Sequence, residues 1–196
     1  MTTIHLIRHA SYDLLGRVLA GRTPGHALNE AGRAEAERLA AALAPRPLAA
    51  VAASPLQRAQ ETASIIAAPH GLAVLEIPGL NEIDFGTWSG MTFDALHADP
   101  GWAEFNTLRA TVPIPGGESM LAAQSRAVAA MVALAARFPN AEIAAVSHGD
   151  VIKALIAHAL GAPLDLFQRI EIAPASRSVI ALGPGAIRVL GVNLPA

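Results

Sequence analysis

Short apolar runs separated by longer alanine- and leucine-rich stretches of helical period constrain this chain most, because that alternation is the signature of strands crossing over through helices. The runs lie near Thr3 to Ile7, Leu48 to Ala53, Ala73 to Glu76 and Glu142 to Val146, with two later ones near Ser178 to Leu182 and Ile187 to Val192. Between them, Ala36, Leu39, Ala40 and Leu43 share one face of a helix that Asn29 is placed to cap. Ser54 reads as the cap of the next helix, with Pro55 at its first position and Gln57 completing a capping box. Ser119 opens a long helix ending before Pro139, and Gly149 opens another running to about Leu160. The pattern predicts an α/β fold with a mostly parallel, six-stranded sheet. A single domain over 1–196 is expected, with an irregular lid-like excursion at about 79–117 that carries helical turns around Phe93 to His97 and Trp102 to Leu108.

Composition narrows the function classes. No run approaches the roughly 20 apolar residues that a membrane span requires, and the 53% hydrophobic content is largely alanine. The chain holds no cysteine, so disulfide and thiolate chemistry are excluded, and a cytoplasmic location is expected. A net charge of -2 is too balanced to direct the protein to nucleic acid or an anionic membrane. Only one of its fourteen basic residues is lysine, and arginine suits bidentate contact with phosphate or carboxylate oxygens.

Four segments carry the chemistry. Arg8-His9 ends the first strand, and Ser54-Pro55-Leu56-Gln57-Arg58-Ala59 follows the second. Glu82 through Gly90 lies in the excursion, and Val146-Ser147-His148-Gly149 joins a later strand to its helix. Ligands of open α/β sheets collect at the carboxyl ends of strands, beside helix N-termini that favour anions. Arg8, His9, Arg58 and His148 stand at three such junctions and are expected to converge on a phosphate, with Glu82 reaching in from the excursion. Taken singly the motifs say little. Arg58 alone reads as a surface residue paired to Glu61, Glu82 as a solvated acid, His148 as a core histidine, and Phe85 and Trp88 as core anchors. His5 reads as strand packing, and His26, His70, His97 and His158 as surface or loop residues.

In order and spacing, the four motifs resemble those of the histidine phosphatase superfamily, in its phosphoglycerate-mutase-like branch. Arg8-His9 is similar to its Arg-His-Gly signature, Ser54 through Ala63 to the segment bearing the second arginine, and Glu82 through Gly90 to the acid-bearing segment. Ser147-His148-Gly149 is similar to the second histidine motif, and Pro115 through Ser119 to a further family landmark. The resemblance implies a three-layer α/β/α sandwich and a metal-independent phosphomonoesterase acting on a small phosphorylated metabolite, without cofactor. In it His9 is the nucleophile and Glu82 the proton donor and acceptor, while Arg8, Arg58, His148 and Gly149 hold the phosphoryl oxygens. A cofactor-dependent phosphoglycerate mutase is the nearest alternative, and a catalytically weak phospholigand-binding protein the next. The latter is motivated by Ala10, which stands where the family usually has glycine and whose methyl is expected to narrow the approach to the phosphate. Ser11 and Arg22 are candidates to replace contacts that relatives make through other side chains. The sequence leaves a homo-oligomer open.

Overall fold

The computed structural model describes residues 1–195; the expected domain extends to residue 196, which lies outside them. Six strands form one sheet in the order β3-β2-β4-β1-β5-β6. They are β1 (Thr2–Arg8), β2 (Leu48–Ala53), β3 (Val74–Glu76), β4 (Glu142–Ser147), β5 (Arg177–Gly183) and β6 (Ala186–Leu194). The first four are mutually parallel, while β5 and β6 run antiparallel as a hairpin along β1. The expected strands are thus all present, and the sheet is mixed only at its β5-β6 edge.

The two-residue period of the strands sorts their side chains into two cores. Ile4 and Leu6 of β1, Ala50 and Ala52 of β2, and Ile143 and Ala145 of β4 enter a large cluster with α5 (Met120–Arg137) and α6 (Gly149–Leu160). The alternate residues Ile7, Val51, Ala53, Ala144 and Val146 join a second cluster with α1 (Glu30–Leu43) and α2 (Gln57–Ala67). Three layers result, helices on both faces of one sheet.

Helix ends follow the side-chain chemistry with one exception. The Asn29 carboxamide accepts the Gly32 N–H at 2.8 Å to start α1, and Ser119 does the same for Ala122 at 3.1 Å to start α5. Helix α2, however, begins after Leu56, and Gln57 donates its amide to Glu61 at 2.8 Å instead of closing a capping box. Ser54 still accepts the Leu56 N–H at 3.3 Å, but its hydroxyl is occupied elsewhere, as shown below.

The excursion folds into two short helices, α3 (Phe93–His97) and α4 (Pro100–Thr107). Ile83, Phe85, Trp88, Trp102 and Phe105 are buried in the large cluster, so this segment is packed down on the sheet layer. The Trp88 indole N–H donates to Asp99 at 2.9 Å, the residue that also caps α4.

Candidate active site

Neighbouring strands place their carboxyl ends side by side. The His9 N–H donates to the Ser147 carbonyl at 2.9 Å, and the Ser54 N–H to the Val146 carbonyl at 3.0 Å, so the chain segments leaving β1, β2 and β4 form one floor. Above it opens a cavity of about 560 Å³, lined on the floor side by Arg8, His9, Arg58, Glu82 and Gly149.

His9 is held in one tautomer. Its Nδ1 lies 2.9 Å from the Ala10 carbonyl, which only accepts, so Nδ1 carries the proton and Nε2 keeps its lone pair. The Arg58 Nε donates toward that Nε2 at 3.3 Å. Burial holds the His9 pKa well below the usual histidine range, and the charges of Arg58 and Arg8 push in the same direction. The ring is therefore neutral at physiological pH.

Arg58 is not a surface residue paired to Glu61. Its side chain is 2% exposed, its Nη2 donates to the Gly21 carbonyl at 2.8 Å, and its guanidinium lies over the Tyr12 ring. Arg8 donates through Nη1 to the Ile172 carbonyl at 2.6 Å, while its buried Nε has no partner among the described residues. A β-carbon at position 149 would sit 3.3 Å from Arg8 Cζ, so Gly149 lets this guanidinium lie flat against the start of α6.

His148 is fully buried beside His9, ring centroids 5.2 Å apart. Its Nδ1 faces Arg58 Nη2 at 3.4 Å and Glu82 Oε2 at 3.8 Å, and its Nε2 is 2.8 Å from the Ser54 hydroxyl. Since Arg58 only donates, the neutral ring carries its proton on Nε2 and gives it to Ser54. Burial and then Arg58 hold its pKa well below the usual range. Glu82 is 14% exposed; its Oε1 accepts the Ile83 N–H at 2.9 Å. Burial and next the nearby Asp150 carboxylate raise its pKa to about 7, against the opposing pull of Arg58, the Ile83 N–H and Arg8. A carboxyl group that holds its proton near neutrality can both give and take one.

The five expected catalytic side chains thus come together. Ser11 and Arg22 do not join them. The Ser11 N–H and hydroxyl both donate to Glu35, and Arg22 turns to the Glu82 carbonyl and Glu118. The Ala10 methyl does not narrow the site either; it packs away from the cavity with Leu28, Ala36 and Ala175. His97, read as a surface residue, lines the cavity, as do Asp150, Lys153 and Gln168, which the motifs did not single out.

Sheet order, helix layers and a neutral imidazole among guanidinium groups define an α/β sandwich with a histidine- and arginine-bearing pocket at the carboxyl ends of its strands. Residues 4–195 match the model of the histidine phosphatase superfamily (branch 1), and the chain belongs to that family. Phosphoserine phosphatase 1 of Hydrogenobacter thermophilus is 30% identical over 99% of this chain and 93% of its own length. Among solved structures, Bacillus stearothermophilus YhfR superposes with a TM-score of 0.94 at 28% identity, over 100% of this chain and 98% of that one. A mycobacterial glucosyl-3-phosphoglycerate phosphatase gives 0.88 at 27% identity, over 98% of each chain. The first mycobacterial relatives are covered over only about half of their length, 46% and 40% in matches that take 51% and 41% of this chain, and 53% in a match that takes 96% of it. No helix among the described residues is long and apolar enough to cross a membrane.

Proposed function

We propose that residues 1–196 form one histidine phosphatase domain and that it is a metal-independent phosphomonoesterase for a small phosphorylated metabolite. The observation that carries this reading is the His9 tautomer, with Nδ1–H held by the Ala10 carbonyl and the Nε2 lone pair beside Arg58 in the cavity.

In the first step Nε2 attacks phosphorus, the bond to the ester oxygen breaks, and its electron pair leaves with the alkoxide. Glu82, protonated near pH 7, supplies the proton that makes this oxygen an alcohol. In the second step Glu82, now ionised, takes a proton from water as that water attacks phosphorus, and the P–N electron pair returns to His9. Arg8 and Arg58 neutralise the equatorial oxygens throughout, and the unpartnered Arg8 Nε keeps an N–H to give to one of them. His148 accepts a proton on Nδ1 when the dianion arrives, and the Gly149 N–H at the start of α6 adds a dipole of the right sign. The relatives matched over 93% and 98% of their own lengths are named phosphatases of small metabolites, which supports the same substrate range.

The test is phosphate release from a panel of phosphomonoesters in EDTA, with and without 2,3-bisphosphoglycerate, alongside His9→Ala. Release that disappears in the variant, with an acid-labile phosphoenzyme in the wild type, is the expected result. Isomerisation of 3-phosphoglycerate that depends on the primer would make the protein a mutase, and folded protein that only binds would leave it a phospholigand receptor.

A further inference from the structure

Beyond the phosphoryl-binding floor, the cavity is lined by five polar side chains joined in one hydrogen-bonded circuit. Asp150 Oδ2 accepts from Arg109 Nη1 at 3.1 Å, and Arg109 Nη2 donates to Asn106 Oδ1. Gln168 Nε2 donates to the same Asn106 oxygen at 3.4 Å, and Lys153 Nζ to Gln168 Oε1 at 3.0 Å. All five line the cavity, yet they come from three places: α4 and the residues after it, α6, and the 3-10 turn Leu164–Arg169. The hub is Arg109, 2% exposed and stacked between the Phe105 and Phe167 rings with centroids 4.3 and 4.7 Å from its Cζ. None of the five gives or takes a proton in the phosphoryl chemistry, although the Asp150 charge helps to raise the Glu82 pKa.

We propose that this circuit is the leaving-group subsite and that it selects a hydroxyl-rich, sugar-like alcohol; this rests on the phosphatase reading above. Three physical arguments favour that class. First, Arg109, the obvious receptor for a carboxylate, is already committed to Asp150 and Asn106 and covered on both faces. An anionic leaving group would therefore meet one half-buried lysine, Lys153, and the repulsion of Asp150. Second, the circuit still offers an acceptor, Asp150 Oδ1, and the remaining N–H groups of Lys153. These lie at i and i+3 on one face of α6, neighbours on the helix surface. Hydroxyls both donate and accept, so a polyol satisfies both, whereas an aryl or alkyl group would strip water from five polar side chains and return nothing. Third, Leu15, Val18, Leu19 and Phe93 also line the cavity and give the C–H faces of a ring an apolar surface. A cavity of about 560 Å³ lies within the size range of sites for ligands well beyond a phosphate ion.

The test separates binding from turnover. His9→Ala protein is titrated calorimetrically with inorganic phosphate, ribose 5-phosphate, mannitol 1-phosphate, 3-phosphoglycerate, phosphoserine and phenyl phosphate. The sugar and polyol phosphates are expected to bind roughly tenfold or more tighter than inorganic phosphate, the factor that one or two good hydrogen bonds supply. Asp150→Ala in the same background is expected to collapse that ratio. Because it also strips Arg109 of its counter-charge, Lys153→Met at a half-buried position provides a second variant that keeps the Arg109 pair. Tightest binding by 3-phosphoglycerate, phosphoserine or phenyl phosphate, or a ratio unmoved by both variants, would overturn the subsite. Wild-type hydrolysis is scored separately. Circuit-dependent binding without any hydrolysis sinks only the phosphatase reading, and hydrolysis without a circuit-dependent ratio sinks only this one.

Discussion

The Arg22 guanidinium donates through Nε to the main-chain carbonyl of Glu82 at 2.7 Å, so a residue that never lines the cavity fixes the one that carries the proton. Arg126 Nη2 donates to the same carbonyl at 3.0 Å, and Arg126 Nη1 to the carbonyls of Gly79 and Asn81. Glu118 ties the two arginines together, with Oε1 2.7 Å from Arg22 Nη2 and 2.6 Å from Arg126 Nη2. The backbone that presents Glu82 is thus clamped by an ion network at its back.

Loosening that clamp should impair proton donation and little else. Glu82→Gln is expected to cost about 10²–10⁴ in kcat with an alkyl phosphate, the usual contribution of a general acid. Glu118→Gln should show a smaller loss of the same kind. With 4-nitrophenyl phosphate, whose leaving oxygen needs no proton, both losses should shrink sharply. Equal losses on the two substrates would mean that Glu118 supports the fold and not the acid.

The pH profile follows from the Glu82 pKa of about 7 and from the depressed His9 pKa. His9 is neutral on both sides of pH 7, so it sets no limb there, whereas Glu82 must be protonated to act. The kcat for an alkyl phosphate should therefore fall above pH about 7, approaching tenfold per unit, and 4-nitrophenyl phosphate should lack that limb. Asp150 raises the Glu82 pKa through its negative charge, so Asp150→Asn should move the limb to lower pH. A limb that stays in place would remove Asp150 from the cause.

Legibility in the sequence tracked how local the cause was. Strand alternation and helix period are set within a few residues, and Arg8, His9, Arg58 and His148 each sit at an element end that short motifs mark. What could not be read depends on partners distant in the chain. Ser54 looks like a helix cap because nothing nearby shows that His148, 94 residues later, will take its hydroxyl. Arg22 looks like a ligand contact because its partners, Glu118 and the Glu82 carbonyl, come from the excursion. Asp150 and Lys153 follow the second histidine on its helix but no motif marks them, and Arg109 and Gln168 meet them only once the excursion has packed on the sheet layer.

Ala10 bears on whether the site is a weakened one. Its methyl is buried with Leu28, Ala36 and Ala175, and its main-chain groups are engaged, the N–H with Thr62 at 3.1 Å and the carbonyl with His9. Ala10→Gly should therefore not raise kcat/KM. It should lower stability by about 1–2 kcal/mol, from one buried methyl and the added backbone freedom of the unfolded chain. Urea unfolding and steady-state kinetics on the same sample decide it; a clear gain in kcat/KM would show that the methyl obstructs the phosphate after all.

Ser54 is expected to matter for the state of His148 more than for the helix it precedes. Its hydroxyl takes the His148 Nε2 proton and faces Asn81 Oδ1 at 3.5 Å, and it is fully buried. Ser54→Ala leaves that N–H without an acceptor, a loss of about 1–3 kcal/mol for a buried donor. The ring can escape this by shifting its proton to Nδ1, but Nδ1 faces the Arg58 guanidinium, so the shifted tautomer trades an orphaned donor for two donors pointed at each other. Without the Ser54 acceptor the ring is less able to carry a proton on both nitrogens, the charged form whose Nδ1–H donates to an incoming phosphoryl oxygen. The variant should therefore unfold at lower urea and bind inorganic phosphate less tightly. In ¹⁵N spectra of labelled histidine, the wild-type His148 should show a protonated Nε2 and a bare Nδ1, and the variant a mixture. A variant with the wild-type pattern and undiminished phosphate affinity would mean that Arg58 alone sets the tautomer.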